Sequence, residues 1–159
     1  MIIECATGRM VFVAGETLEG ANLRGLDLHR AQLGDAILRG AHLDRATLRN
    51  AYLQRADLSE ASLIDTALML ADLTAASLRR ANLRGAGLNA ARLDRADLRG
   101  ADLTGADVGH ANFSGADLRG AVLLSRRIDL ANWQGAMADE GTVWPQGHSL
   151  KSAGIVFQK

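Results

Sequence analysis

Ala96-Asp97-Leu98-Arg99-Gly100 runs without a break into Ala101-Asp102-Leu103-Thr104-Gly105, and Ala81-Asn82-Leu83-Arg84-Gly85 repeats the same pattern upstream. Carried outward in both directions, the frame places an apolar residue at every fifth position from Leu18 to Trp133. Leucine fills 20 of these 24 positions, and Val108, Phe113, Ile128 and Trp133 fill the others. The position two residues before each next centre, from Ala21 to Ala136, is alanine in 21 of 24 cases, the exceptions being Leu26, Thr66 and Arg126. Asp or Asn often precedes the leucine, and glycine often closes the unit. An internal repeat of this length is read before any helix or strand is assigned.

Neither regular structure accommodates a spacing of five. Five residues turn an α-helix by roughly 500°, scattering the leucines around its circumference, and they flip a strand to its opposite face. The leucines share one interior only if the chain turns by about a right angle at each unit, so that four units close a square coil of about twenty residues. Alanine and leucine, two apart, then both point inward, and alanine is small because four leucines already crowd the cross-section. Three residues per unit face outward and make the corner, where glycine suits a positive φ and Asp or Asn bonds nearby backbone. Coils stacked at about 4.8 Å make a rod of roughly 29 Å for six coils. One coil alone encloses nothing, so stability comes from stacking and both ends need covering.

The A-[DN]-L-x-x unit resembles the signature of the pentapeptide-repeat proteins, and the likeness covers about three quarters of the chain. It implies an all-β fold, the family's right-handed quadrilateral β-helix, with about six coils and terminal caps. The expected organisation is an N-terminal cap over 1–15, a β-helix over 16–137 and a C-terminal capping tail over 138–159. In the first segment, Ile2-Ile3 and Met10-Val11-Phe12-Val13 are β-prone runs separated by Thr7-Gly8. In the last, Thr142-Val143-Trp144-Pro145-Gln146-Gly147 followed by Ala153-Gly154-Ile155 resembles a segment that often trails such arrays, with His148 where an aromatic is commoner. Trp133, Trp144 and Phe157 are expected to cover the last coil.

Two residues break the frame. Arg126 falls at an inward alanine position, where an unpaired guanidinium is too costly to bury, so Leu124 to Leu130 should bulge out and Ala131-Asn132-Trp133 should re-enter register. Thr66 is milder, because its hydroxyl can bond a neighbouring carbonyl.

The chain has 159 residues, 18 Lys plus Arg, 18 Asp plus Glu and a single cysteine, Cys5. Its length suits one domain, and lone Cys5 excludes an internal disulfide framework and fits a reducing, cytoplasmic setting. Met1-Ile2-Ile3-Glu4 lacks the basic start of a secretory signal, and no apolar window is long enough to span a membrane. His29, His42, His110 and His148 lack metal-ligand spacing. Gly85-Ala86-Gly87-Leu88-Asn89-Ala90 superficially matches a dinucleotide loop but lies inside the repeat with no helix after it. Carboxylates such as Asp97, Asp102 and Asp107 point from different sides of an open surface. No cofactor, metal or reaction class is supported, and an enzyme is not expected.

Surface pattern remains. On the side centred on Leu18, Leu38, Leu58, Leu78, Leu98 and Leu118, the position after leucine reads Glu19, Arg39, Ser59, Arg79, Arg99, Arg119, and the position before reads Thr17, Ile37, Asp57, Ser77, Asp97, Asp117. The arginines Arg39, Arg79, Arg99 and Arg119 either form a comb for an acidic partner or are neutralised within an Arg and Asp lattice, which is the favoured reading. Ile64, Ala67, Met69 and Leu70 fall at outward positions on two adjoining sides: an apolar contact patch, unless the frame slips near Thr66 and tucks some of them inside. The resemblance brings with it an activity known in the family, imitation of DNA toward a type II topoisomerase such as gyrase. That demands an anionic rod, yet residues 16–137 hold 15 acidic residues and 15 arginines. The expectation is therefore a non-enzymatic scaffold for a protein partner, which includes a homodimer; the DNA mimic is the alternative, and nucleic-acid binding is disfavoured for want of stacking aromatics.

Overall fold

The computed structural model describes residues 2–4, 10–12, 17–147 and 154–158. Cys5, the Thr7-Gly8 link and His148 lie outside them. Parallel bridges join residues twenty apart: Asn22 to His42, Asp27 to Thr47, Gln32 to Tyr52 and Ile37 to Asp57, then His42 to Ser62 and onward up the chain. The chain thus returns to the same side every fourth unit. We number the four sides by their first central residues, Leu18, Leu23, Leu28 and Leu33. Each rung is one residue wide: the Asp57 N–H donates to the Ala36 carbonyl at 2.9 Å, and the Leu38 N–H donates to the Asp57 carbonyl at 2.7 Å. Conventional strands are therefore few. Among the described residues they are β1 (Ile2–Glu4), antiparallel to β2 (Met10–Phe12), and β3 (Met137–Ala138), parallel to β4 (Val156–Phe157).

The corners explain why the unit has five residues. The Ala81 N–H closes a turn on the Leu78 carbonyl at 3.0 Å, and the residue before the alanine, Arg80, has φ 54°. Positive φ at the third turn residue, with negative φ before it, is the sign pattern of a type II turn. Where Asp or Asn precedes the leucine it braces the bend, as where Asp102 Oδ1 accepts the Thr104 N–H at 2.9 Å. Gly100 fits its φ of 67° without strain, whereas Leu70 holds φ 60° at an equivalent corner.

Inside, the central leucines from Leu38 to Leu103 are fully buried, as are most of the alanines. Each buried leucine contributes roughly 1.5–3 kcal/mol of transfer free energy. Toward the C-terminal end, aromatics replace leucine in one column: Phe113 and Trp133 stack at 4.3 Å, and Trp144 meets Trp133 edge-on at 5.5 Å. Phe157, expected to join them, pairs with buried Ala138 on the last rung of the first side, the inward column, and is 54% exposed there. At the other end, the Glu4 carbonyl accepts the Gln32 N–H at 2.7 Å and Ile3 joins the core.

Thr66 is buried with its hydroxyl on the Leu43 carbonyl at 2.8 Å, one coil below. The register does not slip there, since Thr47 pairs with Ala67 and Ala67 with Gly87. Arg126 does break the frame: it bridges Asp107, only nineteen residues away, so it occupies an outward rung instead of the alanine position. Leu124 and Leu130 are exposed and a 3-10 turn spans Ile128–Leu130, while Ile128 stays buried within the expected bulge. Asn132 then pairs with Asn112 and restores the spacing of twenty.

Candidate functional site

The interior is filled, so the chemistry available to other molecules lies on the outer columns. On the first side, every arginine of the ladder meets a carboxylate. Arg39 reaches Asp57 at 3.0 Å, Arg79 reaches Asp97 at 3.8 Å, Arg99 bridges Asp97 at 2.6 Å and Asp117 at 3.6 Å, and Arg119 reaches Asp117 at 2.6 Å. The Arg99 guanidinium, aided by the Arg99 N–H, holds the Asp97 carboxyl below the usual aspartate range against the opposing effect of partial burial. Arg119 does the same for Asp117. At Asp57 partial burial is the largest single influence and favours the neutral acid, but the Ser59 hydroxyl and N–H together with Arg39 outweigh it and lower the pKa. Ser59 interrupts the arginine column and leaves a polar depression of about 550 Å³ bordered by Arg39, Ser77, Arg79 and Arg80.

The third side differs. Between Arg49 and Asp107, its outward positions are Asn50, Ala67, Met69, Leu70, Gly87, Asn89 and Ala90, with no charge on two successive coils. The other three sides carry a charged residue in both of these coils. Met69 lies back over Gly87, where a Cβ would sit 3.4 Å from its sulfur, so it is half-buried, not fully exposed. Leu70 projects from its corner at 55% exposure. Around the adjoining corner, half-buried Ile64 lines an apolar notch of about 470 Å³ with Arg24, Gly25, Asp44 and Arg45.

Ile64, Met69 and Leu70 thus lie on one coil around a single corner, and the four first-side arginines lie on a different side. Sequence reading missed Arg30, Arg45 and Arg49, which border the apolar interval and make no ion pair among the described residues. The same stacking at intervals of twenty, applied to the third side and to the corner that leads into it, brings them into view. Over the described residues 17–137, no side departs from neutrality by more than one charge. Among the described residues, no group of three His, Cys, Asp or Glu is placed to hold a metal ion, and no helix is long and apolar enough to cross a membrane.

A four-sided parallel solenoid with a leucine and alanine interior and turn-forming exterior defines a class of repeat protein. The family model for pentapeptide repeats matches residues 14–40, 27–65, 36–74, 51–89, 68–105 and 81–120, and the chain belongs to the pentapeptide-repeat family. Among solved structures it is similar to the pentapeptide repeat protein Rfr23 of the cyanobacterium Cyanothece 51142, with 30% identity over 69% of this chain and 88% of that one, at a TM-score of 0.66. HetL of Nostoc sp. strain PCC 7120, involved in heterocyst differentiation regulation, shares 29% identity over 85% of this chain and 71% of its own, at 0.51. A pentapeptide repeat protein of the Arabidopsis thaliana thylakoid lumen shares 26% identity over 79% and 72%, at 0.53. None of the curated proteins matches the chain.

Proposed function

We propose that this protein is a non-enzymatic interaction module, a right-handed quadrilateral β-helix that presents its flat sides to a protein partner. The observation that carries this reading is the uncharged interval of the third side, where Leu70 is exposed at φ 60°. A left-handed conformation costs an ordinary residue about 1–2 kcal/mol, and glycine occupies many equivalent corners without that cost. Twelve other corners also hold a non-glycine residue at positive φ, so what sets Leu70 apart is its exposed apolar side chain beside Met69 and Ile64, which suits a contact surface. The first-side arginines Arg39, Arg79, Arg99 and Arg119 are the lesser candidates, since each is already engaged by aspartate. HetL, similar in fold, takes part in regulation, a role in keeping with a binding module. Imitation of DNA calls for an anionic side, and neutrality side by side supports a protein partner instead.

The test is the double variant Ile64→Asp with Met69→Lys. Its circular dichroism should match the parent, and partners captured by the parent from host lysate should be lost. Equal capture by the variant would remove this patch from the interface.

A further inference from the structure

We propose that the N-terminal half of the third side, with its two corners, docks an extended acidic segment of a partner that also carries one apolar anchor residue. The inference rests on the interaction-module reading above and specifies the chemistry of what is bound.

Arginines on the other sides are mostly neutralised by stacked aspartates, as in Arg55 with Asp35 at 2.5 Å, Arg84 with Asp102 at 3.1 Å and Arg92 with Asp72 at 3.1 Å. Arg30, Arg45 and Arg49 are exposed and lack such a pair among the described residues. They lie together. Arg49 stands one rung below Met69, and Arg30 stands two rungs below Leu70 in the same corner column. Arg45 stands one rung below Asp65 on the corner beside Ile64. Asp65 is the carboxylate best placed to quench Arg45, yet it leans the other way, over Gly85, where a Cβ would collide with its Oδ1. Asp27, two rungs below Ala67, leaves this surface net positive.

Three exposed guanidiniums on neighbouring columns suit bidentate capture of carboxylates spaced along an extended chain. The notch at Ile64 then receives an apolar side chain, with Arg45 and the Arg24–Asp44 ion pair as its polar rim. Size argues against a second copy as the occupant. The uncharged interval spans only about 10 Å of the axis, whereas a stable dimer buries about 800 Å² per partner. A stretched segment of a few residues covers the interval and reaches the arginines, at up to about 3.5 Å per residue.

The experiment is a selection of random twelve-residue peptides displayed on phage against the immobilised protein, with affinities of the enriched peptides then measured by fluorescence anisotropy. The inference predicts peptides that combine Asp or Glu with one large apolar residue. Their affinity should fall about tenfold or more in Arg45→Glu with Arg49→Glu and several-fold in Leu70→Gly, and should change less than twofold in Arg95→Glu, an arginine on another side. Enriched peptides without carboxylates, or indifferent to the Arg45 and Arg49 reversal, overturn the inference and leave the interaction module standing. No saturable binder of any composition overturns both. A dimer in the ultracentrifuge that the double reversal dissolves overturns it in favour of a second copy, and tighter binding of a labelled twenty-base-pair duplex overturns it in favour of nucleic acid.

Discussion

The first and third sides of the rod rise from the same coils over the same leucine interior, yet one is a closed lattice of Arg and Asp and the other opens onto alanine, methionine and leucine. Leu58 and Leu68 are both fully buried, so the interior does not distinguish the sides. What differs is the three outward residues of each unit, which the fold constrains only through the turn. In a solenoid the repeat therefore records packing, and departures from it on the outside record contact. Leu70 illustrates the point: the corner tolerates it at a cost, and nothing in the core benefits from it.

The sharpest way to break this comparison is to show that the two interiors are unequal. Leu58→Ala and Leu68→Ala should each lower unfolding stability by about 3 kcal/mol in urea titration, because each leaves a cavity in the same kind of layer. A gap of more than about 1 kcal/mol between them would mean that the sides differ in more than surface. The corners come next, and they should respond in opposite directions. Gly100→Leu imposes φ 67° on a branched side chain and should cost about 1–2 kcal/mol, although a Cβ there meets only Arg80 at 3.5 Å; Leu70→Gly should gain up to about 1 kcal/mol. If both variants destabilise, Leu70 has a packing role and the contact argument weakens.

Acid separates the two sides further. Asp57, Asp97 and Asp117 have pKa values lowered by folding. A lowered folded pKa contributes stability that is fully present above the ordinary aspartate range, about pH 4, and is lost as pH falls through the folded value. Melting temperature should hold between pH 7 and about 5 and fall below about 4. Asp97→Asn with Asp117→Asn should flatten that fall, and Arg45→Glu with Arg49→Glu should leave it unaltered. The smallest effect sharpens the contrast most: Arg45→Glu with Arg49→Glu should leave the urea midpoint almost unchanged, while Arg99→Glu, which sets three carboxylates together at Asp97 and Asp117, should lower it measurably.

The coil was legible because leucine recurs at a spacing that no helix or flat strand can use, and Thr66 and Arg126 were legible as residues that contradict an apolar interior. The direction in which a side chain leans was not. Ile64 and Met69 occupy outward positions and would be fully exposed if they stood straight, but a long side chain at that place lies along the rod over the next coil, and Gly87 leaves Met69 the room. Asp65 is equally ambiguous in sequence, standing between Arg45 below and Gly85 above, and only the structure shows that it turns from the arginine. For Phe157 composition suggested a cover but not its place: β4 adds a rung to the first side with Phe157 paired to buried Ala138, where it is still 54% exposed.

The central claim, that residues twenty apart are hydrogen-bonded neighbours, is tested most directly by NMR scalar couplings measured across hydrogen bonds. The Leu78 N–H should couple to the Asp97 carbonyl and the Asp57 N–H to the Ala36 carbonyl, matching bonds of 2.7 and 2.9 Å. Couplings from these amides to carbonyls four residues earlier, as in a helix, would contradict the coil and every column assigned on it.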